Sequence, residues 1–132
     1  MKTQSPNDLA GIAPDLAQRA GVRHVGAADA FKLCGAEQSG LWIPYHDVEG
    51  EPIVDGGKEY GRLRLDRPDP KKKYHQRKGS DIHVYFPPGV RRVDVVVEGE
   101  KKALALAGMG LNAVGISGLY GYQTERAGKK TL

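Results

Sequence analysis

The chain has 132 residues, 39% hydrophobic and 27% charged, with a formal net charge of +4. That composition fits one small globular domain spanning 1–132. It offers no apolar run near the ~20 residues of a membrane helix, nor an apolar N-terminal segment of the signal-peptide kind. A single cysteine, Cys34, excludes an internal disulfide and makes the cytoplasm the expected location.

Residues 1–12 are expected to be loosely ordered. Pro14–Ala20 reads as a short helix, with proline in its first turn and Gly21 as its stop. A second helix is expected over Ala27–Cys34, closed by Gly35. Two short helices could make a helix-turn-helix, but the second offers only Asp29 and Lys32 as charges, so packing onto a sheet is the better reading. From Leu41 the pattern turns to strands. Leu41–Tyr45 and Pro52–Val54 flank a turn at Asp47–Gly50, followed by Glu59–Leu65, a basic loop and Ile82–Phe86. Pro87-Pro88-Gly89 punctuates before a β-branched strand at 93–97, which breaks at Glu98-Gly99 into a helix former run ending at Gly108. Asn112–Ser117 is a further strand, and 119–132 is expected to be loose. The expected fold is therefore α+β: two short N-terminal helices, an antiparallel strand meander, then a short βαβ unit. Alternation puts Leu41, Ile43, Leu63, Leu65, Val84, Phe86, Val95, Val97, Leu104 and Ile116 in the core.

Charge is unevenly spread. Arg62, Arg64, Arg67, Lys71, Lys72, Lys73, Arg77 and Lys78 face only Asp66 and Asp69 in the same segment, a local excess of +6. Such a field suits nucleic acid or an acidic protein surface. Strand alternation sets Tyr60, Arg62 and Arg64 on one face, a surface for phosphates and a stacked base, and Tyr74 adds an aromatic to the loop. Lys101 and Lys102, at the helix start after Glu98, would lie at the same edge. The plain alternative is a solvated basic face that protects a strand from edge pairing. The histidines (His24, His46, His75, His83) and Cys34 lack metal-ligand spacing, so no metal site and no cofactor are expected.

Glu98 stands where α/β sheets keep their ligands, at the carboxyl end of a strand. Val95–Ala103 followed by Ala113–Gly118 resembles the opening of a TOPRIM domain, the metal-dependent fold of bacterial-type primases, topoisomerases and related nucleases. Gly11-Ile12, Gly40–Tyr45, Arg62–Pro68, Lys73-Tyr74, Tyr85–Pro88 and Glu98–Ala103 occur in the order seen in a TOPRIM-like domain of plasmid, phage and integrated-element replication proteins. The resemblance covers about residues 9–120. It implies that Glu98 descends from an acid–base residue acting at a phosphodiester. It also implies a later Asp-x-Asp pair for magnesium, and none of the 15 residues after Ser117 is Asp. Glu98 is thus expected to be vestigial.

The expected function is a non-catalytic module that binds nucleic acid or another polyanion, derived from a mobile-element replication protein. The alternative is a small phage- or plasmid-encoded inhibitor that occupies a host nucleic-acid-processing complex such as a CRISPR effector. A more distant one is a metal-dependent TOPRIM enzyme completed by a partner subunit.

Overall fold

The structure is a computed structural model that describes Leu9 and residues 11–117. The expected loose tail at 119–132 lies outside these residues, as does most of the expected loose start. Ile12, however, is buried in the core, with Leu9 packed against it, so order begins before the first helix.

Helix α1 (Pro14–Ala20) and helix α2 (Ala27–Cys34) form as the sequence predicts, with Gly21 and Gly35 in left-handed C-cap conformations. Between them runs a strand the sequence reading missed, β1 (Arg23–Val25). Its presence removes the helix-turn-helix arrangement. β1 pairs antiparallel with β2 (Gly40–Pro44), which pairs with β5 (Gly61–Asp69), which pairs with β6 (Lys72–His75), giving the order β1-β2-β5-β6. A small hairpin, β3 (Val54–Asp55) and β4 (Lys58–Glu59), leaves this sheet between β2 and β5. The Asp47–Gly50 turn is held as expected, with the Asp47 carboxylate accepting from the Glu49 and Glu51 amides.

Three strands make a second sheet. Central β9 (Ala113–Ile116) pairs antiparallel with β7 (Val84–Tyr85) and parallel with β8 (Val95–Glu98); helix α3 (Glu100–Gly108) connects β8 to β9. The predicted strand–helix–strand order over 93–117 is therefore present, within a mixed α+β fold.

The four-stranded sheet is covered on both faces. Trp42, Leu63, Leu65 and Val25 pack with Ala30 and Cys34 of α2. On the other face, Leu41, Ile43, Tyr45 and Tyr60 pack with Tyr85, α1 and Leu104 of α3. Five members of the predicted core are corrected. Val84 is 37% exposed and Phe86 half-buried, because Tyr85 turns inward instead, its ring 5.0 Å from that of Tyr45. The β7–β9 register decides it, setting Val84 opposite Ile116 on the outer face and Tyr85 opposite Gly115 on the face that meets Tyr45. In β9, Val114 is fully enclosed and Ile116 only half-buried. β8 is an edge strand, so Val95 and Val97 are half-buried rather than part of a buried strand.

Gly61 shows how closely the two faces are built. A Cβ there would fall inside the van der Waals envelope of the Trp42 ring and 2.8 Å from the Ile43 carbonyl oxygen. Gly61→Ala is expected to lower stability by about 1–3 kcal/mol through overpacking, read from the urea midpoint. An unchanged midpoint would show that Trp42 repacks at no cost.

Candidate functional site

β5 carries the predicted arginine face, and the structure encloses it. Leu63 and Leu65 turn toward α2, which sends Tyr60, Arg62 and Arg64 toward the α3 side. Tyr60 is 1% exposed, stacks edge-on to Tyr45 at 4.8 Å, and donates its hydroxyl to Gln76 Oε1 at 3.1 Å. Burial pushes its phenol up to about 12. The Arg62 side chain is 14% exposed, with Nη1 3.2 Å from Glu100 Oε2 and its guanidinium 4.3 Å over the Tyr74 ring. Burial is the largest single influence and opposes the Arg62 charge, but Glu100 together with Tyr45 and Tyr60 outweighs it and holds the guanidinium above its ordinary value. Arg64 is half-buried and donates to the Tyr74 hydroxyl at 3.3 Å. Tyr60 and Arg62 therefore do not form an open phosphate surface; they belong to a buried polar knot.

The acid at the centre of that knot is Glu100, which sequence reasoning passed over in favour of Glu98. Glu98 is exposed at the end of β8; Gly99, at φ 96°, redirects the chain, and Glu100 opens α3 pointing into the core. Glu100 is fully buried, and its Oε2 accepts from the Tyr45 hydroxyl at 2.5 Å as well as from Arg62. Burial first, and Glu100 second, push the Tyr45 phenol well above its usual value. Glu100 Oε1, Arg62 Nε and Arg64 Nε have no hydrogen-bond partner among the described residues. Nothing in Glu98-Gly-Glu100 distinguishes the two acids locally; the partners that bury Glu100 lie 38 and 55 residues away. Gly99 is the N-cap of α3, and no side chain caps the helix.

The other predicted cations divide into two groups. Arg77 turns toward the β3–β4 hairpin, donating to the Asp55 carbonyl oxygen and lying 3.7 Å from its carboxylate. Arg67, Lys71, Lys72, Lys73 and Lys78 are exposed. Half of the segment read as a basic loop, 66–81, is strand: β6 pairs with β5 through Leu63–His75, Arg64–Tyr74 and Asp69–Lys72, with a bulge between Arg64 and Asp69. Among the described residues β6 is the edge of this sheet, with Lys72 and Lys73 exposed along it while Tyr74 and His75 sit half-buried. Asp66, within this run, accepts from Ser39 at 2.5 Å and lies 2.6 Å from His24, which engages its charge locally. Lys101 is half-buried and Lys102 exposed on the first turn of α3, three and four residues after Glu98. Beside the rim, a cleft of about 560 Å³ opens between Gly35–Gln38 and the hairpin, lined by Leu65, Arg67, Lys72 and His75.

Asp55 fastens the segment after β6 to the β3–β4 hairpin. Its Oδ2 lies 2.7 Å from His83 Nε2 and accepts from the Asp81 amide at 3.0 Å. The His83 bond leads the causes that hold the Asp55 carboxyl below its ordinary value, followed by the Asp81 amide. A carboxyl depressed on folding adds stability above its unfolded pKa of ~3.9, and that stability is lost as pH falls through the lower folded value. Asp55→Asn is therefore expected to be less stable than the natural chain at neutral pH, the gap closing below about pH 4. Urea unfolding at several pH values checks this; a gap that stays constant into acid would sever the link.

Among the described residues, no cluster of three His, Cys, Asp or Glu is placed to hold a metal ion, and no helix is long and apolar enough to cross a membrane. Cys34 is a buried thiol whose pKa burial raises. Comparison of this chain with protein-family models, characterised proteins and solved structures finds no match.

Proposed function

We propose that this chain is a non-catalytic module that binds nucleic acid along the rim of the β5–β6 hairpin. The supporting observation is a cluster of exposed cations along one hairpin: Arg67 on β5, Lys71 in the connecting turn, Lys72 and Lys73 on β6, and Lys78 just beyond it. Backbone pairing holds Lys72 and Lys73 on the edge strand, on its opposite faces, so a phosphate chain that follows the edge can meet both. The test is fluorescence anisotropy with single-stranded DNA, duplex DNA and RNA across a salt series. If these five cations meet phosphates of a single strand, log K should fall with log salt with a slope of about −3.5. Absence of binding at low salt, or binding indifferent to salt, overturns the proposal. Tight capture of one host protein complex without affinity for free nucleic acid would overturn it in favour of an inhibitor.

We also propose that β8–α3–β9 is a TOPRIM-like unit. Parallel pairing of β8 with β9 through Val95–Ala113 to Glu98–Ile116, with exposed Glu98 at the carboxyl end of β8, supports that ancestry. Magnesium-dependent nicking or primer synthesis by the purified chain, lost in Glu98→Gln, would overturn the non-catalytic part of the reading.

A further inference from the structure

We propose that the cleft beside the hairpin seats one nucleotide unit, with its phosphate between Arg67 and Lys72 and its base over Leu65 and Ala36 beside His75. This rests on the nucleic-acid reading and names where that reading becomes a pocket rather than a surface. The cleft's volume, about 560 Å³, falls within the roughly 300–1,000 Å³ typical of small-molecule sites. Its lining has the polarity of a nucleotide. Leu65 and Ala36 are buried apolar groups, while Arg67 and Lys72 are exposed cations on the two strands of the hairpin. Two cations from facing strands can hold one phosphate from two sides, which a row of lysines on a single strand cannot do.

The walls are already fixed. The Gln38 side chain clasps the Arg67 backbone, accepting from its amide at 2.9 Å and donating to its carbonyl at 3.4 Å. His75 is anchored by Nε2 at 3.1 Å from the Cys34 carbonyl oxygen, so that nitrogen carries the proton and donates. Burial, then Lys72, lowers the His75 pKa, favouring a neutral flat ring on which a base can stack. Glu37, the acid of the lining, is exposed at the rim and would be turned from the phosphate toward solvent. Such a preformed seat spares the ordering cost that a flexible loop would bear on binding.

The shared chemistry is a phosphate joined to a base, whether free or within a strand, and the test separates the two. Amide NMR spectra are recorded with 5′-AMP, with inorganic phosphate and with an oligothymidylate, for the natural chain and two charge-matched pairs, Arg67→Ala/Lys72→Ala and Lys71→Ala/Lys73→Ala. Circular dichroism confirms that each pair folds. The nucleotide should shift signals of residues 35–38, Arg67, Lys72 and His75. The cleft pair should weaken AMP by roughly tenfold or more, and the rim pair by no more than about twofold. Both should weaken the oligomer. Equal loss of AMP in the two pairs, or no shift at the cleft, overturns the seat. Inorganic phosphate binding as well as AMP also overturns it, because the base would then contribute nothing. Oligomer binding with steep salt dependence but no AMP in the cleft sinks the seat while leaving the nucleic-acid reading intact. AMP in the cleft without oligomer binding does the reverse.

Discussion

Glu100→Ala is expected to cost about 3–5 kcal/mol of stability, the scale for removing one partner of a buried ion pair. The substitution strands the Arg62 guanidinium, 14% exposed, without the carboxylate that offsets its burial, and leaves the Tyr45 hydroxyl without its acceptor. Since small domains have only about 5–15 kcal/mol in total, that is a large share of the stability. Urea midpoints give the measurement. Tyr45→Phe keeps the ring packing and loses only the donor, so it should cost about 1–3 kcal/mol. The double variant should cost less than the sum, because both remove the same bond. A loss below about 1 kcal/mol in Glu100→Ala would mean that the knot is an incidental contact.

Reversing Lys71, Lys72 and Lys73 to glutamate together should have the largest effect on binding. Losing three phosphate contacts should make the salt slope shallower by about 2, and repulsion should lower affinity at low salt by roughly a hundredfold or more. Association should slow more than dissociation speeds up, since most of the effect is a long-range field screened beyond about 8 Å at physiological salt. Stopped-flow kinetics on a labelled oligonucleotide separates the two rates. Arg62→Ala makes the contrast. Its guanidinium is committed to Glu100, so the variant should lose stability while its folded fraction binds almost normally. If Arg62→Ala instead abolishes binding in a fully folded protein, the enclosed strand face is the contact surface after all.

The sequence made the elements legible wherever local chemistry decides them. Proline at the start and glycine at the end bracket α1, and the β-branched run broken by Glu98-Gly99 announces β8 and α3. It failed where a distant partner decides. Alternation put Tyr60, Arg62 and Arg64 on one face, which is correct, but could not say that α3 covers that face. An arginine in a strand next to aromatics reads equally as a phosphate grip or as half of a buried pair. Only Glu100, far along the chain, distinguishes them. β1 was missed because three residues between two helices carry too little pattern, and the sheet pairing with β2 creates the strand. The cleft was equally invisible: Gln38 and His75 owe their roles to the Arg67 backbone and the Cys34 carbonyl, which only the hairpin brings near.

The packing of α3 against α1 also dictates an order of assembly. Leu16, Ile43 and Leu104 share one cluster, so the inner face of the four-stranded sheet stays wet until residues 100–108 are available to cover it. On the ribosome the N-terminal helix, β1, β2 and the β5–β6 hairpin emerge first, with Arg62 already in place and its carboxylate still unmade. The emerging chain therefore exposes Leu41, Ile43 and Tyr60 while the 33 residues from the end of β6 to the end of α3 are added, a matter of seconds at about 5–20 residues per second. Closing so long a loop makes the last docking step slow and non-local. During that interval the exposed lysines of the edge strand also act as the nascent chain's own protection against sticking to its neighbours.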